Sequence, residues 1–299
     1  GYRIYNLIGG TQHLLRTTEK DYLDNGTLEK QTTYSYNYDR HYKASQVSTV
    51  TSDGDAMIQQ FTYPQDFVIQ DVESQDPLVQ QHRFVPIEVR SYRDIDNNGV
   101  ADANELLNTT ETVYQWYNLP GEETTDIENN DRPIYAPSII KTGKGVSTNN
   151  MENRIEFKDY DSDGNILVVS KTDGNDIIYI YGYNNTLPIA KIENATLNQV
   201  ESLAHGVRNA SNGDDSSCTV NENCSENALR TAQTNLRNGL PNAMVTTYTY
   251  DPLIGVTSMT DPRGNTVYYE YDDFNRLLQV KDFEGNILSR NTYNYGSQN

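Results

Sequence analysis

The stretch "TYTYDPLIGVTSMTDPRGNTVYYEYDDFNRLLQVKDFEGNILSR", residues 247–290, states one pattern twice. Tyr250-Asp251 and Tyr271-Asp272 lie 21 residues apart, and the turns that run from Asp261 to Gly264 and from Asp282 to Gly285 keep the same spacing. A repeat period of about 20 residues or more is typical of arrays built from one supersecondary unit. The segment therefore predicts two copies of a single structural module.

The turns of this module carry the residues that return a chain on itself. In "DPRG" (261–264) Asp stands first, Pro second and Gly fourth, which is the preference of a type I turn. Alternating runs such as "TTYSYNY" (32–38) and "TVYYEY" (266–271), with turns such as "DSDGN" (161–165), are typical of strands joined as hairpins. The pattern predicts a mainly β protein made of antiparallel hairpins.

One region departs from this alternation. Apolar residues recur at helical spacing through residues 196–209, and Thr196 and Gln199 are placed as a capping box. A second helix is predicted from Ser225 to Gly239, before Pro241. We therefore predict a helical hairpin inserted into a β meander. The predicted segments are a degenerate hairpin region at 1–193, the helical insertion at 194–243 and the two clear repeats at 244–299.

The two repeats resemble the YD-repeat, or Rhs, family. That pattern runs from Tyr-Asp through Gly-Arg-Leu and a strand to Asp-x-x-Gly-Asn and a second strand. "YDDFNRLLQVKDFEGNILSRNTYNY" (271–295) resembles it with Arg276 in place and Asn275 instead of Gly, and residues 250–272 carry Gly255-Val256 where Arg-Leu is usual. A weaker copy is predicted at Tyr183-Asn184.

The resemblance implies a long β-sheet ribbon that spirals into a hollow shell, as in bacterial Rhs and toxin-complex proteins and in animal teneurins. In many bacterial members the shell encloses a C-terminal toxin that is cut free inside it. The DPxGL-type segment at which that cleavage occurs is absent from this sequence, and "DPLIG" (251–255) belongs to an ordinary repeat. The chain starts at Gly1, and we expect it to be a fragment of a longer polypeptide.

Charge and composition narrow the classes of partner. The chain has 23 Lys and Arg against 42 Asp and Glu, a net charge of −19, which disfavours nucleic acid because phosphate binding needs clustered basic residues. There is no apolar run long enough to cross a bilayer, so membrane insertion is not expected. The aromatic residues are 23 Tyr against 6 Phe, which suits a sheet with half-wet faces.

An acidic loop outside the repeats has the spacing of a calcium loop. "DIDNNGVADANE" (94–105) satisfies the template D-x-[DN]-x-[DN]-G-x5-E, although its flanks look like strands and not helices. The alternative is a solvated turn rich in Asp and Asn. The predicted oxygen ligands for Ca²⁺ are Asp94, Asp96, Asn98, the Val100 carbonyl, Asp102 and Glu105.

The only two cysteines, Cys218 and Cys224, lie close together in a polar loop between the predicted helices. Such spacing favours a small local disulfide and an oxidising, extracellular setting. The alternative is a pair of unrelated free thiols. The bridge would close the tip of the helical hairpin.

Catalytic patterns are weak. His13, His41, His82 and His205 are scattered without a zinc-type spacing, and no G-x-S-x-G motif occurs. Acidic pairs such as Asp161 and Asp163 are explained by turn chemistry. We therefore expect a non-enzymatic chain.

Three functions remain as hypotheses. The first is a structural part of a secreted bacterial Rhs protein, a β-shell or surface scaffold that either encloses a cargo domain of the same polypeptide or is displayed on the cell exterior. The second is a cell-surface adhesin that binds glycans through its Tyr-rich sheet, and the third, least favoured, is a hydrolase. Neighbouring chains are further candidate partners. We expect the repeat tyrosines to form cross-strand ladders and the Asp after each Tyr to accept backbone hydrogen bonds.

Overall fold

The computed structural model describes residues 12–24, 26–52, 54, 56–68, 74–118, 133–145, 150–215 and 224–294. Within these residues the protein is mainly β, as predicted, with sixteen strands that hydrogen-bond in the order of the sequence. Every pairing with a described register is antiparallel, which is what short hairpin turns allow. The strand signal read from alternation and turn residues is therefore confirmed.

The strands have the following bounds. The first eight are β1 Arg16–Leu23, β2 Gly26–Tyr36, β3 Ala44–Thr51, β4 Ala56–Thr62, β5 Glu88–Arg93, β6 Leu106–Tyr117, β7 Ile134–Lys144 and β8 Glu152–Tyr160. The others are β9 Ile166–Lys171, β10 Asp176–Gly182, β11 Leu187–Glu193, β12 Met244–Asp251, β13 Gly255–Thr260, β14 Thr266–Tyr271, β15 Leu277–Asp282 and β16 Ile287–Arg290.

The described α-helices are α1 Pro77–Gln80, α2 Leu197–Asn212 and α3 Ser225–Gly239, and two short 3₁₀ helices span Pro64–Phe67 and Ala103–Glu105. The start of α2 is fixed by its cap, because the Thr196 N–H donates to Gln199 Oε1 at 2.9 Å. This satisfies a backbone donor that the first turn leaves without a partner. The inserted helical hairpin predicted between the two β regions is thus present, with α2 one turn longer than the apolar spacing indicated.

The chain divides into two compact units, residues 1–115 with 137–154 and residues 116–136 with 155–299. The first unit has a small buried cluster of Ile58, Tyr92 and Leu106, on which Ala101 packs. Both long helices belong to the second unit. The segments 1–193, 194–243 and 244–299 therefore describe the pattern of the sequence, and the compact units follow different bounds.

The core of the second unit lies between the helical hairpin and the sheet. Apolar residues of α2 and α3 are fully buried against side chains of β10, β11 and β12. Burying such side chains is the main stabilising contribution to a fold of this kind. The residues that share this core are Ile178, Ile180, Ile189, Ile192, Val200, Ala204, Val207, Leu229, Leu236 and Val245.

The weaker repeat copy predicted at Tyr183-Asn184 begins two residues earlier. Strand β10 ends at Gly182, and Tyr181 faces Pro188 across the pair just as Tyr250 faces Val256 in the clear repeat. Tyr183 has already left the strand, with a positive φ of 49°, and its buried ring meets that of Tyr250 edge to face. The predicted position was therefore wrong by two residues, because Tyr181 and Tyr183 both lie in the stretch from which the strand was predicted.

Among the described residues, no helix combines the length and the apolar character that crossing a lipid bilayer requires.

Candidate functional site

The repeat turns share one hydrogen-bond arrangement. In the turn that starts at Asp261, the Gly264 N–H donates to the Asp261 carbonyl at 3.0 Å, and Gly264 has a φ of 90°. The carboxylate of Asp261 accepts the Arg263 and Asn265 N–H groups through Oδ1 and the Asn265 side-chain amide through Oδ2. One aspartate thus holds three donors of its own turn.

The same arrangement recurs at Asp282 and Asp161. Asp282 accepts backbone N–H groups through Oδ1 and the Asn286 amide through Oδ2, and Asp161 does the same with Asn165. Bonds that favour the charged carboxylate lower its pKa. The Asn265 side chain is the main cause of the lowered pKa of Asp261, and the Asn286 side chain that of Asp282.

Asp272 builds a variant of this turn. Its Oδ1 accepts the N–H groups of Phe274 and Arg276, and its Oδ2 accepts Nε and Nη2 of Arg276 at 2.9 and 2.6 Å. Asn275 stands where the family pattern has Gly and adopts a φ of 59°, which Asn tolerates better than most residues. The Arg276 side chain is the main cause of the lowered pKa of Asp272.

Tyr271 and Tyr293 each donate a hydrogen bond to the repeat before them. The register shifts at Tyr250 and at Tyr271, so that Tyr250 faces Val256 and Tyr271 faces Leu277. The Tyr271 hydroxyl donates to the Val256 carbonyl at 2.9 Å, and the Tyr293 hydroxyl donates to the Leu277 carbonyl at 2.9 Å. We call this contact, from a tyrosine hydroxyl to the carbonyl opposite the tyrosine of the preceding repeat, the tyrosine clasp.

The clasp extends into the region where the sequence repeats are degenerate. The Tyr250 hydroxyl donates to the carbonyl of Pro188, which faces Tyr181. In the first unit the Tyr63 hydroxyl donates to the carbonyl of Ala44, which faces Tyr36. The sequence analysis did not predict these contacts, and the signal that the sequence offers is a Tyr at or next to the end of a predicted strand.

The connection between β11 and β12 leaves the clasp unbroken. These strands pair directly, with Ala190 opposite Thr247, although α2 and α3 lie between them in the chain. The Tyr250 clasp therefore joins neighbouring strands across the whole insertion. The helices are an addition to the repeat and not an interruption of it.

A buried carboxylate fastens α3 to the sheet. The side chain of Glu226 is 1% exposed, and its Oε1 accepts Nη2 of Arg230 at 2.6 Å. The same oxygen accepts the hydroxyls of Thr249 at 2.6 Å and Thr257 at 2.5 Å, from β12 and β13. A buried charge is tolerated when it is paired and hydrogen-bonded, as here.

The predicted disulfide falls partly outside the described residues. Cys224, which precedes α3, takes part in a disulfide. Cys218 lies outside the described residues, so its pairing with Cys224 stays a prediction. Intact-mass measurement with thiol labelling under non-reducing conditions checks it.

The histidines are not gathered into a site among the described residues. Buried His41 accepts the Lys43 N–H at Nδ1 and contacts Asp66 Oδ1 through Nε2 at 3.1 Å. Asp66 also accepts the Tyr63 N–H, so the pair holds the turn that follows β4. This is a structural arrangement.

Exposed aromatic rings gather at the tip of the β2–β3 hairpin. His13 lies 4.9 Å from Tyr36 and 5.7 Å from Tyr42, and Tyr38 stacks on Tyr36 at 5.4 Å, all between ring centroids. Tyr38 and Tyr42 are 51% and 65% exposed. We call these four residues the aromatic cluster.

The acidic loop lies in the first unit between β5 and β6. Asp94 accepts the Asn98 N–H through Oδ1 at 3.1 Å and the Gly99 N–H through Oδ2 at 2.9 Å. Glu105 accepts the Ile95 N–H through Oε1 at 2.7 Å, so the last acidic residue of the loop reaches back to its start. Asp94, Asp96 and Glu105 each offer an oxygen within 4.8 Å of the others.

The remaining predicted ligands sit at the exposed rim of the loop. The Asn98 amide nitrogen donates to Asp96 Oδ2 at 2.9 Å and to Asp102 Oδ2 at 3.4 Å. Asn98 Oδ1 accepts the Val100 N–H. The structure thus brings Asp94, Asp96 and Glu105 together and joins Asp102 to them through Asn98.

Comparison with known proteins identifies the repeat. Residues 255–287 match the family model described as RHS Repeat. No curated protein matches the chain.

The chain also matches solved structures at low sequence identity and low TM-score. The crystal structure of TcdB2-TccC3-Cdc42 has a TM-score of 0.33 at 11% identity over 85% of this chain and 12% of that one. A Photorhabdus luminescens Tc holotoxin pore with a TccC3 mutation has a TM-score of 0.29 at 12% identity, over 87% of this chain and 12% of that one. The chain thus spans about an eighth of the length of these chains.

The matched residues, 255–287, contain the register shift at Tyr271, the Asp272 and Asp282 turns and the clasp between Tyr271 and Val256. The sequence pattern and the module seen in the structure therefore coincide over these residues, and the chain contains an RHS repeat at 255–287.

Proposed function

We propose that this chain is a non-catalytic wall segment of a secreted Rhs/YD-repeat protein, and that the wall encloses a cargo domain of the same polypeptide. The tyrosine clasp carries the proposal. The repeat residues satisfy one another: tyrosine hydroxyls donate to backbone carbonyls and aspartates accept the N–H groups of their own turns. Residues used in this way serve to join modules into a continuous sheet.

The edge of the sheet in the second unit supports continuation of the wall. All four residues of β16 are exposed, and they include Ile287 and Leu288 at 52% and 57%. An exposed edge strand with apolar side chains is a template for pairing with another strand. Any strand that paired with this edge would extend the wall, in the way that β15 extends the sheet beyond β14.

The cargo part of the proposal rests on what the family resemblance implies. Protease protection in the full-length polypeptide tests it. We expect a tagged segment downstream of Asn299 to survive trypsin while the wall is folded and to be digested in urea. The same segment expressed alone is the control and should be digested at once.

Two outcomes would contradict the proposal. One is a full-length polypeptide that ends soon after Asn299, which leaves no cargo. The other is a downstream segment that trypsin removes at the same rate within the full chain and alone.

The aromatic cluster supports a second candidate, glycan binding. Exposed rings can stack on the apolar faces of sugars, and Tyr38 and Tyr42 present such rings, whereas Tyr250 and Tyr271 are half-buried in clasps. On a glycan array, Tyr42→Ala should abolish any binding that the wild type shows. Tyr22→Ala is the control because Tyr22 is 80% exposed and lies outside the cluster. Equal glycan binding by Tyr42→Ala and Tyr22→Ala would contradict this candidate function.

A further inference from the structure

The acidic loop concentrates negative charge where water cannot solvate it well. Asp94 is 3% exposed and Glu105 is 5% exposed, and both carboxylates lie with Asp96 inside a 4.8 Å cluster. The ion pairs described in the same unit join other carboxylates, such as Glu88 with Arg90 and Glu111 with Lys141. Like charges this close, in a site of low dielectric, repel one another strongly.

A second observation points to a missing positive charge. The Oε2 atom of Glu105 is buried and has no hydrogen-bond partner, whereas Oε1 accepts the Ile95 N–H. A buried carboxylate oxygen without a partner is rare because it loses its hydration and gains nothing in return. A cation bound between the three carboxylates would satisfy this oxygen and offset their repulsion.

The backbone already has the form that a metal loop needs. Asn97 and Gly99 have φ values of 56° and 76°, which turn the chain sharply around the Asp94 carboxylate. The Asn98 and Gly99 N–H groups then donate hydrogen bonds to that carboxylate and fix its position. The ligand-bearing side chains are thus fixed by the loop before any ion enters.

We propose that this loop binds one calcium ion. Asp94, Asp96 and Glu105 are its anionic ligands, and Glu105 supplies the oxygen that now has no partner. Asn98, the Val100 carbonyl and Asp102 complete an all-oxygen set of the size that calcium takes, six to eight. Magnesium is disfavoured because it requires a strict octahedron and keeps several waters.

Binding requires one local change, at Asn98. Its amide nitrogen now donates to Asp96 and Asp102 and so occupies the position of a positive charge between them. Turning the amide over would bring Oδ1 toward the ion and leave the carboxylates to the metal. The Val100 N–H, which now donates to Asn98 Oδ1, loses that acceptor, whereas the backbone bonds to Asp94 and Glu105 are kept.

The ion would join the end of β5 to the start of β6. Asp94 follows β5 directly and Glu105 precedes β6, while Ala101 of the loop packs on the cluster of Ile58, Tyr92 and Leu106. Calcium would therefore stabilise the first unit through its core. This proposal does not depend on whether the wall encloses cargo.

The test is calcium binding by the 299-residue chain, measured by titration calorimetry after removal of metal with a chelator. We expect one equivalent to bind, with an affinity in the range of extracellular calcium modules, about 10⁻⁴–10⁻³ M. Glu105→Gln should weaken binding about tenfold or more, because it removes a charged ligand of the ion. Glu111→Gln is the matched control, since Glu111 lies on β6 outside the loop, and it should bind like the wild type.

Thermal unfolding gives a second readout, in which calcium and chelator should affect the wild type and Glu105→Gln differently. Calcium should raise the melting temperature of the wild type by more than that of Glu105→Gln, because the variant binds more weakly. In chelator the variant should be at least as stable as the wild type, because a buried charge has been removed. If Glu105→Gln fails to fold, Asp96→Asn replaces it, since Asp96 is exposed. Two results would overturn the proposal. One is that the wild type binds no calcium when the calcium concentration is 10-fold above a dissociation constant of about 1 mM, and the other is that Glu105→Gln binds calcium as tightly as the wild type.

Discussion

At the scale of the residue, one tyrosine per repeat performs two tasks. Its ring is half-buried between strands, and its hydroxyl satisfies a carbonyl where the register shifts. Burial, with a smaller contribution from nearby Tyr248 and Tyr181, raises the pKa of Tyr250 to about 12. The Tyr250 hydroxyl therefore keeps its proton, and remains a hydrogen-bond donor, over the whole physiological pH range.

Removing one clasp hydroxyl should cost measurable stability. Tyr271→Phe deletes the donor to the Val256 carbonyl and keeps the ring, so we expect the free energy of unfolding to fall by about 1 kcal/mol. Urea unfolding monitored by circular dichroism measures it. Tyr269→Phe is the matched control because Tyr269 lies on the same strand and its hydroxyl joins no hydrogen bond found among the described residues. Equal losses in both variants would contradict the clasp.

Asp272 should make stability depend on acid pH. Its pKa in the fold lies below the ordinary 3.8, because of Arg276, so its contribution is full above 3.8 and is lost as the pH falls toward the folded pKa. Asp272→Asn should be less stable than the wild type at neutral pH, and the two should converge in acid. Denaturant midpoints at pH 7 and below the ordinary pKa measure this.

The control for this prediction is the adjacent residue. Asp273→Asn removes an equal charge from an exposed side chain that joins none of the described turn bonds. It should keep the wild-type dependence on pH. A constant difference between Asp272→Asn and the wild type at every pH would refute the role of ionisation.

The sequence predicted which residues repeat, and the structure was needed to show what they contact. Tyr250, Asp251, Asp261 and their counterparts are visible because turns demand particular residues at particular positions. The carbonyls that accept the clasps were not predictable, because any residue supplies a carbonyl. Their choice depends on where the pairing shifts, which the sequence pattern alone does not fix.

At the scale of the element, the positions of the two helices could be predicted from the sequence, but the contact that attaches α3 to the sheet could not. The capping box and the apolar spacing predicted α2, and the apolar spacing predicted α3, although Ser225, expected as a cap, is the first residue of α3 and the N-cap is Cys224. Nothing in the pattern distinguished Glu226 from an ordinary acidic residue of a first helical turn, although it is almost fully buried. Its hydroxyl partners lie on β12 and β13, far along the chain, and only the packed structure brings them together.

Glu226 should be the most sensitive acidic residue of the hairpin. Glu226→Ala leaves Arg230 without its buried partner and Thr249 and Thr257 without their shared acceptor, so we expect a loss of about 3 kcal/mol or more. Glu201→Ala is the control because Glu201 pairs with Arg208 at the surface, where such pairs contribute about 1 kcal/mol or less. Thermal or denaturant unfolding compares them, and similar losses would refute the buried role.

At the scale of the whole molecule, net charge opposes folding. The chain carries −19, and the lowered pKa values of the turn aspartates keep those groups ionised. Self-repulsion of this size destabilises a compact state and is screened by salt. Sodium chloride, added in the presence of a chelator, should therefore raise the melting temperature, and a melting temperature independent of salt would contradict this.

The mainly β architecture and the helical insertion were predictable at this scale, since alternation, turns and caps are local signals. The two compact units were not. Their bounds pass through β6, β7 and β8, and no change in composition marks such a position. A division that depends on which residues pack together cannot be located from local pattern.

The direction of the clasp has a consequence for how such a chain is made. In the four described clasps, at Tyr63, Tyr250, Tyr271 and Tyr293, the acceptor precedes the tyrosine in the sequence. A growing polypeptide emerges from the ribosome in that same order, so each of these tyrosines finds its carbonyl already synthesised. Each of these four contacts can therefore form during translation, as soon as its tyrosine has been synthesised.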